Sequence, residues 1–174
     1  MIVFLDFEAS SLAKRGYPIE VGWAAEDGSG EGHLIRPAPG WVDWSAEAEA
    51  IHGITRDTLL RDGTPHDVVA RRMVEALTGH DPYASAPSWD GKWLSALLRA
   101  AGLPRHALRL RDTEEAHRAV LLAAGLPPEQ AQELLPDEPP AHRALEDARR
   151  ELRRWRGLRE KVGGKNSPEP PSSF

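Results

Sequence analysis

The stretch Ile2-Val3-Phe4-Leu5-Asp6-Phe7-Glu8-Ala9-Ser10-Ser11-Leu12 predicts a buried central strand that ends at a polar site. Four apolar residues come first, which is typical of a strand covered on both faces, and two carboxylates follow. Side chains two apart on a strand share a face, so Asp6 and Glu8 project together while Phe7 turns into the core. Ligands of open α/β sheets bind beyond the carboxyl ends of the strands, so this pair indicates a divalent-metal site. A solvated strand end is the alternative interpretation.

Composition narrows the class of protein. The 174 residues suit one domain, and 40% hydrophobic and 28% charged residues are ordinary for a globular protein. No run is apolar enough to span a membrane and residues 1–20 lack the pattern of a signal peptide, so we expect a cytoplasmic protein that binds no membrane. The absence of cysteine excludes disulfides and thiolate metal sites, which favours Mg²⁺ or Mn²⁺ over structural zinc.

The net charge limits the kind of nucleic-acid partner. A charge of −5 argues against a protein that coats long stretches of nucleic acid, because such binding depends on many Lys and Arg contacts to phosphates. It is compatible with an enzyme that holds a few nucleotides, since bound metal would neutralise part of the acidity.

Hydrophobic periodicity and turn residues predict three strands in a meander, followed by helices with two further strands between them. The first strand is followed by predicted strands at 18–25, 32–36, 83–86 and 108–110, and by predicted helices at 45–50, 65–78, 90–101, 112–124, from 127, and at 141–158. Residues 1–162 would form one domain. Residues 163–174 are rich in Gly, Ser and Pro, and we expect this tail to be disordered.

Two further motifs extend the acidic pattern of the first strand. Trp89-Asp90 lies at the predicted start of a helix, and His142-Arg143-Ala144-Leu145-Glu146-Asp147 lies near the start of the last helix. In series with Asp6 and Glu8, they make the sequence resemble the DEDDh 3′–5′ exonucleases over residues 2–158. This family includes the proofreading exonuclease of bacterial replicative polymerases. Ile51-His52-Gly53-Ile54-Thr55 is also similar to a segment that the family has between its first and second motifs.

The resemblance implies an α/β fold of the ribonuclease H-like type, with a five-stranded mixed sheet, strand 2 antiparallel to the rest, and helices on both faces. It implies hydrolysis of phosphodiester bonds at the 3′ end of single-stranded DNA or RNA by two divalent cations, Mg²⁺ or Mn²⁺, with release of nucleoside 5′-monophosphates. By the same resemblance, Asp6 would bridge both cations, and Glu8 and Asp147 would hold the one that activates water. Asp90 would act on the second cation, and His142 would be the general base.

The resemblance also places the substrate near a further set of residues: Ala9, Ser10, Ile51, His52 and Trp89. Ile51 and His52 would line the pocket of the terminal nucleotide, while a capping or core histidine is the alternative for His52. The sequence departs from the family where two threonines usually follow the glutamate, because Ala9 and Ser10 stand there. It departs again at Ala86, where the family usually has an asparagine.

Residue spacing predicts where the third motif sits. Five residues on one helix are about 140° apart, so His142 and Asp147 would diverge if both were helical. Pro139-Pro140 upstream indicates that His142 lies in the loop or first turn while Asp147 is on the helix. For Asp90, a helix N-cap is the alternative to a role in the site, and one residue could do both.

Two alternative functions stay open at this point. One is a non-catalytic nucleic-acid-binding module of the same fold, with which the changes at Ala9 and Ala86 are compatible. The other is an exonuclease limited to short oligonucleotides, which the negative net charge would suit. The choice between DNA and RNA depends on contacts to the 2′-hydroxyl and is left open by the sequence.

Overall fold

A computed structural model of the protein describes residues 1–163. The predicted tail at 163–174 lies outside this part of the chain except for Gly163, which is the last residue of the final helix. Among the helices within residues 1–163, none has both the length and the apolar character needed to cross a membrane.

Three strands come first in the described chain, and helices with three further strands between them follow. The strands are β1 (Ile2–Ala9), β2 (Pro18–Ala25), β3 (Gly30–Arg36), β4 (Thr64–Pro65), β5 (Asp81–Ala84) and β6 (Arg111–Asp112). The α-helices are α1 (Ala46–His52), α2 (Arg56–Asp62), α3 (His66–Leu77), α4 (Pro87–Ala100), α5 (Thr113–Ala123), α6 (Ala131–Leu134) and α7 (Ala144–Gly163), and a 3₁₀ turn spans Pro128–Gln130.

The strands form one mixed sheet in the order β4-β3-β2-β1-β5-β6. Strand β2 runs antiparallel to β1 and β3, whereas the β3–β4, β1–β5 and β5–β6 pairs are parallel. The predicted mixed sheet with an antiparallel second strand is confirmed. The predicted number of five strands is wrong by one, because the two residues of β4 add to the edge of β3.

The last strand of the sheet lies later in the sequence than predicted. We expected it at 108–110, but the residues that pair with β5 are Arg111 and Asp112. Leu108 instead packs into the hydrophobic core beside α3 and α4. The apolar character of Leu108 therefore reflects packing against helices and not pairing with a neighbouring strand of the sheet.

Alternate residues of β1 face two different helix layers. Val3, Leu5 and Phe7 pack against residues of α3 and α4. Phe4 packs on the other face with α5 and α7, where its ring centroid lies 6.1 Å from that of Trp155. Since side chains two apart share a face, Asp6 continues the Phe4 side of the strand and projects toward α7. The alternation thus directs the acidic end of β1 to the layer that contains the last helix.

Candidate active site

Three carboxylates from distant parts of the chain meet at the end of β1. Asp6, Glu8 and Asp147 each offer one carboxylate oxygen, and these oxygens lie within 4.8 Å of one another. They line a cavity of about 210 Å³ together with His142 and Arg150. A group of hard oxygen donors at this spacing has the chemistry of a site for Mg²⁺ or Mn²⁺.

Glycine in β2 lets the start of α7 approach the sheet closely. Gly22 lies opposite Asp6 in the β1–β2 register. A Cβ atom at Gly22 would lie 2.2 Å from the backbone nitrogen of Leu145 and 2.5 Å from the carbonyl carbon of Ala144, so only glycine leaves room for the helix backbone. This close contact sets the height of Asp147, two residues further along α7, above Asp6.

The carboxylate of Asp147 also orders the loop that precedes its helix. The Ala141 N–H donates to Asp147 Oδ1 at 2.8 Å, and the Arg143 N–H donates to Oδ2 at 3.2 Å. Between these two donors His142 adopts a left-handed backbone conformation with φ of 56°. It lies two residues before the start of α7 and lines the acidic cavity, which matches the position expected from the Pro-Pro pair.

Glu20 is a residue of this site that the sequence reasoning missed. Its carboxylate accepts hydrogen bonds from Arg143 Nη2 at 2.8 Å and from the Ala144 N–H at 3.0 Å. Glu20 is buried on β2 opposite Glu8, so it binds the first turn of α7 from beneath. An isolated acid inside the otherwise apolar run Ile19–Val21 is the signal that could have identified it.

Asp90 acts on the acidic cluster through its charge, from α4 in the opposite helix layer. The alternative that Asp90 caps α4 is wrong, because the helix begins at Pro87 and its N-cap residue is Ala86. Asp90 is buried in the first turn, where its Oδ2 accepts a hydrogen bond from the Ala86 N–H at 3.3 Å. Burial raises the pKa of Asp90 to about 7, although the backbone N–H groups of Ala86 and Phe7 oppose this shift. Asp90 is not one of the three acids whose oxygens converge, but its charge acts on two of them.

Mutual repulsion and burial disfavour ionisation of the acids on β1. Burial raises the pKa of Asp6 well above its usual range, and the charges of Asp90, Glu8 and Asp147 raise it further, while Arg150 lowers it. Burial likewise raises the pKa of Glu8 to about 7. Arg150 Nη1 lies 3.6 Å from Asp147 Oδ1 and compensates only part of this charge. Carboxylates held together against their repulsion fit a site where a cation binds.

The expected pocket residues surround the end of β1 to different extents. His52 is buried at the end of α1, where its Nδ1 accepts a hydrogen bond from the Ile54 N–H at 3.0 Å. Burial lowers the pKa of His52, while the charges of Glu49 and Glu20 oppose this shift. Ile51 is 60% exposed, which leaves an apolar side chain open to a ligand. Ser10 differs, because its side chain is fully buried and its Oγ accepts a hydrogen bond from the Tyr17 N–H at 3.1 Å.

Comparison with known proteins gives structural matches without matches at the level of sequence. No family model matches the sequence. No curated protein matches it either.

The structural matches include exonuclease I from Escherichia coli and from Methylocaldum szegediense. E. coli exonuclease I in complex with a dT13 oligonucleotide is 15% identical with a TM-score of 0.67, over 94% of this chain and 42% of that chain. Its complex with a dA16 oligonucleotide is 14% identical with a TM-score of 0.68, over 94% and 41%. The moderately thermophilic exonuclease I from M. szegediense is 17% identical with a TM-score of 0.69, over 92% and 40%.

The shared feature of these proteins is the fold. The described chain therefore has a ribonuclease H-like fold, as the resemblance implied. The chain spans less than half of the length of the solved chains that it matches. At identities of 14–17% the likeness does not assign an activity.

Proposed function

We propose that this protein is a metal-dependent 3′–5′ exonuclease of the DEDDh type that releases nucleoside 5′-monophosphates from single-stranded DNA or RNA. The observation that carries the proposal is the convergence of Asp6, Glu8 and Asp147 within 4.8 Å in a cavity that His142 also lines. The likeness to exonuclease I structures, several of them solved with single-stranded oligonucleotides, supports it.

The acidic residues are proposed to hold two divalent cations, Mg²⁺ or Mn²⁺. Asp6, Glu8 and Asp147 would hold the first, and Asp6 with Asp90 would hold the second, directly or through water. The donor set fits such ions, because all its members are carboxylates. Burial raises the pKa values of Asp6, Glu8 and Asp90, and a bound cation would favour their ionised forms. Bound there, the pair would stabilise the attacking and leaving oxygens of an in-line displacement at phosphorus.

His142 is proposed to act as the general base. It accepts the proton of the attacking water, and its position before α7 places it on the side of the cavity that Asp147 occupies. The left-handed backbone of His142 costs of the order of 1 kcal/mol for a residue other than glycine. Glu20 and Asp147, which bind the residues on either side of it, hold this conformation.

The pocket for the terminal nucleotide is proposed to lie between the end of β1 and α1. Ile51 would contact the base with its exposed side chain, and Ala9 and His52 would line the sugar side. A pocket that accepts a terminal sugar with a free 3′-hydroxyl excludes a continuous strand, which explains cleavage from an end. Ser10 would support this pocket from within the protein, because its hydroxyl and its N–H are bound to Tyr17 and its carbonyl accepts a hydrogen bond from the Ser45 N–H.

The proposal is tested by the release of labelled mononucleotide from a 3′-labelled single strand in the presence of Mn²⁺. We expect release by the wild type, none with chelator, and a loss of at least about 10³-fold in Asp6→Asn. Asp27→Asn is the matched control, since Asp27 lies in the turn between β2 and β3, near the start of β1 and at the opposite end of the strands from Asp6. Binding of strands of every length without cleavage would refute the enzyme and leave the binding module. Cleavage of dinucleotides alone would establish the short-substrate exonuclease.

A further inference from the structure

An exposed tryptophan stands directly beside Asp90. Trp89 precedes it in the first turn of α4 and keeps 40% of its surface exposed. Its ring stacks on the buried ring of Trp93, with 5.9 Å between centroids and 23° between planes. The core therefore holds Trp89 in one orientation, and the ring is presented to solvent as a rigid flat surface.

A lysine joins this ring to the loop that follows β1. Lys92 Nζ lies 5.1 Å from the centroid of Trp89 and donates a hydrogen bond to the Ala13 carbonyl at 2.9 Å. Ala13 opens a turn that closes with a hydrogen bond of 3.0 Å from the Gly16 N–H to the same carbonyl. The turn is thereby held next to the first turn of α4.

The two central residues of that turn are Lys14 and Arg15. Both are exposed, and within residues 1–163 neither forms an ion pair with an acid. Together with Lys92 they place three cations beside an exposed aromatic ring in a protein whose net charge is −5. We call this group, Trp89, Lys92, Lys14 and Arg15, the Trp89 surface.

The position of the Trp89 surface relative to the proposed catalytic residues indicates which part of a nucleic-acid substrate it would contact. In an in-line displacement the attacking and leaving oxygens lie on opposite sides of the phosphorus. His142, the proposed base, approaches from the α7 side, whereas Asp90 belongs to α4. The leaving oxygen, and the nucleotide attached to it, would then lie toward α4 and Trp89.

We propose that the Trp89 surface binds the strand upstream of the scissile phosphate, an inference that rests on the proposed function. Trp89 stacks on the base of the second nucleotide from the 3′ end. Lys14 and Arg15 bind the next phosphates toward the 5′ end. Aromatic stacking combined with a cationic track is the way in which proteins hold single strands without reading their sequence. Cations at this place also give an acidic protein local affinity for a polyanion.

The stacking contact is tested by fluorescence anisotropy with a 5′-labelled dT10 strand and an rU10 strand in chelator, so that no cleavage occurs. Trp89→Ala should weaken binding by about ten-fold or more, because the loss of one stacked base has an effect of this size. Trp89→Phe should recover most of the affinity. Leu122→Ala is the control, as Leu122 is 59% exposed on α5. Unchanged binding in Trp89→Ala would overturn the inference.

An abasic substrate tests the same contact in the wild-type protein. Removal of the base at the second position from the 3′ end should weaken binding as much as Trp89→Ala does, and combining the two changes should cause no further loss. An abasic position seven nucleotides from the end is the control. Fully additive losses would show that Trp89 does not contact that base.

The cationic part is tested by the salt dependence of binding. Lys14→Gln with Arg15→Gln should reduce the slope of log K against log[salt] by about 1.4, since each phosphate contact on a single strand contributes about 0.7. Arg105→Gln with Arg109→Gln is the matched control, because Arg109 lies at the other end of the sheet near the start of β5. Failure of the wild type to bind any strand in chelator would overturn the Trp89 surface, whereas the exonuclease proposal is decided by mononucleotide release with Mn²⁺. Wild-type binding with an unaltered slope in the Lys14 and Arg15 variant would overturn the phosphate contacts alone.

Discussion

Replacing Gly22 by alanine should displace the start of α7 and disable the site without changing any acidic residue. The new Cβ would lie 2.2 Å from Leu145 N, 2.4 Å from Leu145 Cα and 2.5 Å from the Ala144 carbonyl carbon. Since favourable contacts between heavy atoms lie near 3.5 Å, the helix must move by about 1 Å. All three atoms belong to the backbone, so no side-chain rotation relieves the clash.

Displacement of the start of α7 should lower the stability of the protein, and it should lower the activity more strongly. Overpacking of this kind typically costs about 1–3 kcal/mol. A misplacement of about 1 Å in a catalytic arrangement costs roughly 10²-fold in rate. Asp147 lies on the displaced turn, so cation affinity should fall with activity. The assays are thermal unfolding, calorimetric titration with Mn²⁺, and mononucleotide release.

Two other glycines supply graded controls. Gly32→Ala should have a smaller effect, because the nearest atom to its new Cβ is the Leu145 side-chain Cβ at 3.0 Å. Gly157→Ala lies within α7 with no neighbouring atom within 4 Å, and it should raise stability by up to about 1 kcal/mol while leaving activity unchanged. A Gly22→Ala protein with wild-type activity and cation affinity would refute the argument that this contact positions the site.

Three further predictions concern the base, its support and the acids. His142→Ala should lower the rate far more than the cation affinity. The His142→Gly protein should be about 1 kcal/mol more stable than the His142→Ala protein, because glycine adopts φ of 56° freely. Equal unfolding midpoints of these two variants would contradict backbone strain at residue 142. Glu20→Gln should lower kcat by about ten-fold with little change in KM, since the charged bidentate contact to Arg143 that orders the His142 loop is reduced to one neutral acceptor. Steady-state kinetics decide this, and a change confined to KM would oppose it. Folding raises the pKa of Glu8 from 4.5 to about 7. In chelator, the contribution of Glu8 to the stability of the folded state is therefore fully present below pH 4.5 and is lost as the pH rises through 7. Glu8→Gln should therefore reduce the loss of stability between pH 5 and pH 8 by about 1–2 kcal/mol after solvent screening, and an identical loss in thermal melts would count against the shift.

Local patterns predicted those parts of the protein whose structure depends on neighbours in sequence. The apolar run and the alternation along β1 placed Phe7 in the core and sent Asp6 to the other face. Pro139-Pro140 predicted that His142 lies ahead of the helix that contains Asp147. The helix that contains Asp90 was predicted to begin at Asp90 itself, because the hydrophobic pattern did not show that Pro87 already begins α4.

The residues that only tertiary structure reveals are those whose role lies in a contact between elements. Glu20 and Gly22 read as ordinary members of a strand, yet one binds the start of α7 and the other makes room for it. The sequence by itself determined the residue types and the strand and helix periods, because these depend on local sterics and on the burial of one face. The distances that bring Asp147 within 4.8 Å of Asp6 were decided by the packing of a helix on a sheet. Such packing is a property of two surfaces far apart in the chain, and no window of the sequence contains both.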